Sequence, residues 1–363
     1  MKILIITNHS YMFWQFRREL TAALLKDHQV VLSTPFVGHE QDLEAMGCRC
    51  IETAVDRRGI NPATDFKLFS TYRRLIVEEK PDLVITYSIK PNIYAGLASR
   101  LAGVPYCANV QGLGTAFQKK GLAVLVTVMY RAALGKARRV FFENEGNAAI
   151  FREKHISIPE RQTVLPGAGV DLTCYTPEPR PEDGTVRFLF VGRIMKEKGV
   201  DELFWAARKL KEEYGERVAF DVVGFFEDAY KQTVEELAAE HILTFHGFQQ
   251  DVRPFYTAAD CVVLPSYHEG MSNVLLEGAA SGRALVTSDI PGCREAVEDG
   301  VTGWLCPVGD RETLLDRMRR FVSCTPEERR AMGKAGRALM ERCFRKEDVV
   351  NKTLAALLEE KPC

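Results

Sequence analysis

The sequence predicts two doubly wound α/β domains in tandem, and three features of its 363 residues support this. Short runs that are apolar on both faces alternate with stretches whose apolar residues recur at helical spacing. That is the pattern of a parallel sheet with helices packed on both sides. Residues 166–184 interrupt the rhythm with four prolines and three glycines, a composition that can continue neither a helix nor a central strand. The rhythm then restarts, and the length suits two domains that each bury a core of their own.

In the first half the strand-like runs fall at 2–7, 29–33, 83–87, 106–110, 139–143 and 162–166. Helix-like stretches separate several of them, at 14–25, 66–79, 92–101 and 147–155. The second half runs strand 186–191, helix 200–214, strand 217–223, helix 230–241, strand 243–246 and helix 252–258. Strand 261–265, helix 273–281 and strand 284–288 follow, and the tail 326–360 reads as helices only. The expected division is a first domain at 1–170, a linker at 166–184 and a second domain at 185–345. A C-terminal helix at 346–363 could pack back on the first domain. Two such domains on one flexible segment imply a cleft, and ligands of these sheets bind at the carboxyl ends of the strands.

Composition removes several function classes. The chain has 48 Lys and Arg against 49 Asp and Glu, a net charge of −1, so it is not an overall basic nucleic-acid binder. The charge is uneven: residues 1–180 carry 23 basic against 17 acidic residues (+6) and the remainder 25 against 32 (−7). The first half could therefore favour an anionic surface or substrate, although drift produces differences of this size. A hydrophobic fraction of 46% argues against disorder, and ordinary Gly and Pro contents argue against collagen-like repeats. Of ten cysteines only Cys48 and Cys50 lie close together, no spacing suits zinc, and Cys107, Cys261 and Cys306 sit in apolar runs. Reduced cytosolic thiols are expected.

Residues 2–7 are too short for the apolar region of a signal peptide. The longest uncharged apolar stretch, 121–130, falls short of the roughly 20 residues a spanning helix needs, so a cytoplasmic chain is expected. Lys119 and Lys120 precede that stretch, and Arg131, Lys136, Arg138 and Arg139 follow it. A helix of this kind could lie peripherally on an anionic membrane, or be a core helix with basic ends.

Two loops carry the chemistry. The first is the G-R-x-x-x-x-K-G run at 192–199, which places Arg193, Lys196 and Lys198 between a strand end and a helix start, where cations suit a diphosphate. A charged loop alone says little. The second is the His-Glu-Gly-Met-Ser-Asn-Val-Leu-Leu-Glu run at 268–277, directly after the strand 261–265. Its carboxylates, Glu269 and Glu277, would stand about 80° apart on one helix. They reach one pocket more readily if Glu269 is in the loop and Glu277 in the helix; the plain alternative for Glu277 is a solvated helix face. Gly270 allows close backbone approach, and Ser272 or Asn273 can cap a helix whose first N–H groups face an anion. Together the loops offer charge for a diphosphate and acceptors for sugar hydroxyls.

With these motifs the chain resembles glycosyltransferase family 4, retaining enzymes of the GT-B fold, in which two Rossmann-like domains face each other across a cleft. The resemblance also takes in Gly169-Val170-Asp171-Leu172, the segment 258–266 and the segment 289–297. It implies that Arg193 and Lys198 hold the donor diphosphate and that Glu269 contacts hexose hydroxyls. The N–H groups of Gly270, Met271, Ser272, Asn273 and Val274 would reach phosphate or sugar oxygens, and Glu277 would accept from the ribose. No metal or other cofactor is implied beyond the nucleotide-diphosphate sugar, most often a UDP-sugar, and no DxD stands at a strand end.

The first domain departs from the family in places. Asn8-His9-Ser10-Tyr11 stands where a glycine pair is common, and Tyr87-Ser88-Ile89-Lys90 where a histidine is familiar. Asn8-His9, Phe16-Arg17, Lys90-Pro91-Asn92 and the Gln-Gly-Leu-Gly-Thr run at 111–115 are similar to a subgroup. Its members extend polyprenyl-diphosphate-linked glycans in bacterial capsule, O-antigen and N-glycan assembly. His9, after the first strand, could orient an acceptor hydroxyl, or be a satisfied surface imidazole.

Three other functions compete. A sugar-nucleotide 2-epimerase of the same fold would use carboxylates such as Glu143 and Glu145 and need no acceptor. An NAD-dependent oxidoreductase would require G-x-G-x-x-G after the first strand, and residues 8–13 contain no glycine. A sugar-nucleotide-binding protein would differ only in lacking turnover.

Overall fold

The computed structural model describes residues 1–56, 61–114, 117, 120–180 and 182–359. They divide into two compact units, Met1–Ala168 together with Asp348–Cys363, and Gly169–Glu347.

The first unit runs β1 (Lys2–Ile6), α1 (Ser10–Leu25), β2 (Gln29–Thr34), α2 (Glu40–Ala45), β3 (Arg49–Glu52), α3 (Pro62–Glu79) and β4 (Leu83–Tyr87). It continues with α4 (Ile89–Ala102), β5 (Tyr106–Val110), α5 (Lys120–Leu134), β6 (Arg139–Phe142), α6 (Glu145–Glu153) and β7 (Gln162–Val164). The sheet is parallel in the order β3-β2-β1-β4-β5-β6-β7, so the chain reverses direction across the sheet between β1 and β4. Alternate residues of β1 face opposite layers, as the strand period demands. Ile3 and Ile5 pack with Phe13, Leu20 and Leu24 of α1, while Leu4 and Ile6 pack with Tyr72 and Leu75 of α3 and Ile93 of α4.

The second unit runs β8 (Val186–Val191), α7 (Val200–Tyr214), β9 (Val218–Val223), α8 (Lys231–Ala239), β10 (Thr244–Phe245), α9 (Arg253–Ala258) and β11 (Cys261–Leu264). Then come α10 (Asn273–Ala280), β12 (Ala284–Ser288), β13 (Gly303–Cys306), α11 (Arg311–Ser323), α12 (Pro326–Cys343) and α13 (Lys346–Leu358). Its sheet is also parallel, ordered β10-β9-β8-β11-β12-β13, with the reversal between β8 and β11. Helix α13 starts in this unit, but Val349 and Leu357 are buried in the core of the first.

Two expectations need adjustment. The alternation read from sequence omits α2, β3, β13 and α11. Strand β3 is a half-buried edge and β13 is mixed in burial, so neither shows a long apolar run. Helix α11 does carry a helical pattern, with Leu314, Leu315, Met318 and Phe321 buried and Asp310 capping its start. Secondly, the described residues of 166–184 form no helix or strand, as the proline content requires, yet they are not a loose tether. Val170 and Leu172 are buried in the second unit's core, and Asp171 Oδ1 accepts the Thr173 and Cys174 amides at 2.8 and 3.0 Å. Val170 also pairs with the later segment, its N–H donating to Phe344 at 2.8 Å and its carbonyl accepting from Lys346 at 3.1 Å.

Candidate functional site

The strand order of the second sheet reverses between β8 and β11, and ligands of such sheets bind at the carboxyl edge beside that reversal. Both sequence-singled loops lie there, 192–199 after β8 and 265–272 after β11. Glycine brings them together. Gly199 has φ +69°, and a Cβ on it would stand 2.0 Å from the Pro265 carbonyl oxygen. Beside it the Tyr267 amide donates to the Glu197 carbonyl at 2.9 Å. A third loop, after β12, closes in at Gly292, where a Cβ would meet the Gly270 carbonyl oxygen at 2.4 Å.

Within this contact the charges alternate. Lys198 pairs with Glu269, both mostly buried, and Ser266 Oγ donates to the same Glu269 oxygen at 2.8 Å. Arg193, at 43% exposed the more open cation, pairs with Glu227. His268 sits where Glu269, Glu197, Lys198 and Arg193 all act on its charge, and burial pushes its imidazole below the ordinary histidine value. Arg193, Lys198, His268 and Glu269 therefore share one neighbourhood.

Helix α10 starts from the same loop. Ser272 caps it, its Oγ accepting from the Leu275 amide at 3.4 Å. The backbone reading needs one correction: the Ser272 N–H, expected to face a ligand, donates to the Gly292 carbonyl at 2.9 Å. Met271 is buried in the core, and Gly270 forms the contact with Gly292. Asn273 and Val274 open the helix, where amides have no carbonyl one turn back. The Asn273 side-chain oxygen is buried without a partner among the described residues.

Glu277 is 9% exposed, not a solvated helix-face acid. Tyr256 of α9 donates to its Oε2 at 3.0 Å, and Tyr175 lies within hydrogen-bonding reach of the same carboxylate. Burial raises its pKa to about 7, against the pull of the tyrosines and Lys346. The two acids of the motif thus head separate networks, Glu269 with Lys198 and Ser266, Glu277 with the tyrosines.

His9 belongs to the first unit, where it caps α1 by accepting the Met12 amide on Nδ1 at 3.5 Å. This local bond orients the ring at the carboxyl end of β1. Beyond it, Ser88 Oγ donates to Asn8 Oδ1 at 2.9 Å, joining the loops that follow β1 and β4.

Sequence reasoning passed over Glu227, Ser266, Tyr175 and Tyr256. Glu227 stands four residues beyond β9, so the rule that placed the other loops would have found it. Tyr256 and Tyr175 carry no such signal, because only the fold brings them to Glu277. Among the described residues no group of three His, Cys, Asp or Glu side chains is disposed to hold a metal ion.

Two all-parallel doubly wound units in one chain are the GT-B architecture. Solved structures agree: the Anabaena protein HepE, crystallised with UDP and glucose, matches with a TM-score of 0.80 at 18% identity over 98% of this chain and 99% of that one. Sucrose-phosphate synthase of Thermosynechococcus elongatus matches with 0.77 at 20% identity over 97% of each. Residues 176–339 match the family model Glycosyl transferases group 1 and residues 2–144 match Glycosyl transferase 4-like; the chain belongs to the GT4-type glycosyltransferases. It is 25% identical over 339 residues to the N,N'-diacetylbacillosaminyl-diphospho-undecaprenol alpha-1,3-N-acetylgalactosaminyltransferase of Campylobacter jejuni, covering 88% of each chain. It is 28% identical over 282 residues to the UDP-Gal:alpha-D-GlcNAc-diphosphoundecaprenol alpha-1,3-galactosyltransferase of Escherichia coli, over 73% of this chain and 72% of that one.

Proposed function

We propose that the chain transfers a hexose or N-acetylhexosamine from a UDP-sugar to a polyprenyl-diphosphate-linked glycan, with retention of configuration, in bacterial surface polysaccharide or glycoprotein glycan assembly. The observation that carries this reading is the meeting of Arg193 and Lys198 with Glu269 at the reversal between β8 and β11. A diphosphate placed there exchanges Glu227 and Glu269 for phosphate oxygens as partners of the two cations, and Glu269 is then available to sugar hydroxyls. Charge building on the leaving diphosphate is met by Arg193, Lys198 and the start of α10, which do not have to reorganise as it forms. In this reading these cations stand where other transferases use a metal. The α10 amides of Asn273 and Val274 face phosphate or sugar oxygens, and Glu277 with its tyrosines takes the ribose.

Support for the acceptor comes from the relatives, both named for diphospho-undecaprenol-linked sugars and alpha-1,3 transfer. An alpha-linked product from an alpha-linked UDP-sugar is retention, with the leaving phosphate taking the acceptor proton. The first unit binds the acceptor, with His9 orienting its hydroxyl. The chain works in the cytoplasm with peripheral contact to anionic lipid at the inner membrane face; among the described residues no helix is long and apolar enough to cross a membrane.

Arg193→Ala and Lys198→Ala should each lower turnover by about 10²–10³, the loss typical of one preorganised charge-stabilising group. Release of UDP from candidate UDP-sugars, assayed with and without a lipid-linked acceptor, measures this. Near-normal turnover in both variants overturns the assignment, and sugar conversion without acceptor points to epimerisation.

A further inference from the structure

We propose that Arg337 of α12 is a positioning residue for the ribose of the nucleotide. It fastens the 172–175 turn to the end of α10, holds Tyr175 on Glu277, and so sets the preference for ribose hydroxyls. This rests on the reading that Glu277 takes the ribose, and it names what orients that acid.

Tyr175 and Glu277 come from segments of different rigidity. Glu277 sits inside α10 and is fixed by the helix. Tyr175 ends a turn that belongs to no helix or strand, closed by its amide donating to the Asp171 carbonyl at 3.0 Å and by the Asp171 side chain. From there its phenol reaches the carboxylate, with its ring edge-on to that of Tyr256 at 5.9 Å. Burial and the charge of Glu277 raise the phenol well above its ordinary range, so it stays a donor. A donor held on one side of a carboxylate leaves the remaining lone pairs for the two ribose hydroxyls.

Arg337 ties the two segments together. Its Nη1 donates to the Tyr175 carbonyl at 2.6 Å and to the Ala280 carbonyl at 2.9 Å, and its Nη2 donates to the Leu172 carbonyl at 3.0 Å. Ala280 closes α10 about one turn beyond Glu277. The guanidinium plane is itself held, because Nε donates to Glu341 Oε1 of the same helix at 2.7 Å. Helix α12 also meets the end of α10 at backbone distance: a Cβ on Gly333 would stand 1.9 Å from the Gly282 carbonyl oxygen. Complementing a helix end takes only charge, which a lysine supplies. Joining carbonyls of two chain segments in one plane takes a guanidinium, with its fixed fork of donors.

Calorimetric titration of the full chain at pH 8, where Glu277 is mostly ionised, tests this with UDP and 2′,3′-dideoxy-UDP. The parent should bind UDP about tenfold or more tightly than the dideoxy form, as hydrogen bonds to a charged acceptor imply. Arg337→Lys should cut that ratio to roughly threefold or less, chiefly by weakening UDP. Tyr175→Phe leaves the backbone grip in place and should cut the ratio too. The double variant should lose no more than the more affected single variant, since both act on one contact. A merely structural arginine would weaken both nucleotides alike. The proposal is overturned by an unchanged ratio in Arg337→Lys, by an equal loss for both nucleotides, or by losses that add in the double variant. An unchanged ratio in Tyr175→Phe overturns it as well, and decides the matter even where Arg337→Lys fails to fold. A parent that binds both nucleotides equally overturns it by removing Glu277 from the ribose, and leaves the diphosphate assignment standing. A parent that binds neither nucleotide overturns the transfer reading itself, and this proposal with it.

Discussion

Glu277 shows how burial sets the behaviour of a single acid. Out of water, and with two tyrosine hydroxyls as its closest polar company, its carboxyl holds its proton up to a pH of about 7 instead of the usual 4.5. The folded state therefore binds more protons than the unfolded chain between pH 4.5 and 7. The protonated acid's contribution to stability is fully present below pH 4.5 and is lost as pH rises through 7. The whole loss amounts to roughly 3 kcal/mol. Glu277→Gln keeps an acceptor for Tyr256 without the charge. Its unfolding midpoint, followed by circular dichroism, should match the parent's near pH 5 and exceed it near pH 8. A parallel pH dependence in the two proteins refutes this. A steric prediction sits beside it. Gly199→Ala must place a methyl against the Pro265 carbonyl while holding φ at +69°, so it should cost about 2 kcal/mol or more in urea denaturation and lower donor affinity as well.

At the level of elements, legibility followed burial. Strands β1, β4, β5, β8, β11 and β12 lie inside their sheets, and their residues are almost all buried, so each reads as an unbroken apolar run. Strand β3 is an edge whose ends, Arg49 and Glu52, are exposed and whose middle, Cys50 and Ile51, is only half-buried, so it carries no such run. The two charged loops were legible because chemistry restricts their residue types and the strand ends fix their place. The Tyr256 and Tyr175 partners of Glu277 were not, because their meeting depends on how α9 and the 169–175 turn pack. Nor could spacing show that the Ser272 amide is occupied by Gly292, a contact made across two loops.

Helix α10 permits a test that separates folding from binding. Losing the cap in Ser272→Ala should cost about 1 kcal/mol of stability, whereas Ser272→Asp restores a capping oxygen. The aspartate also adds negative charge where the diphosphate is proposed to sit. Ser272→Asp should therefore recover the unfolding midpoint yet bind UDP more weakly than Ser272→Ala, read by calorimetric titration. Equal UDP affinity in the two variants would remove α10 from the diphosphate site.

At the scale of the whole molecule, the chain builds its first unit from both of its ends. Residues 169–347 form the second unit, and the chain then returns as α13, burying Val349 and Leu357 among Phe13, Leu24 and Ile3 of the first. Burying two such side chains fully contributes roughly 3–6 kcal/mol, all of it to the first unit. A chain ending after Glu347 should therefore unfold its first unit at markedly lower temperature. The second unit keeps Arg193, Lys198, Glu269 and Glu277 together with the Val170–Lys346 pairing, and so keeps every residue of the proposed donor site. A ligand that binds one folded unit raises that unit's stability by about 2.7 kcal/mol at a hundred times its Kd. Differential scanning calorimetry of the truncated chain with a UDP-sugar should show two separate transitions, the lower insensitive to the nucleotide and the upper moved by it as in the parent. A single transition at the parent temperature would mean that α13 adds nothing to the first unit. Loss of the nucleotide shift would mean that the donor site draws on residues beyond Glu347.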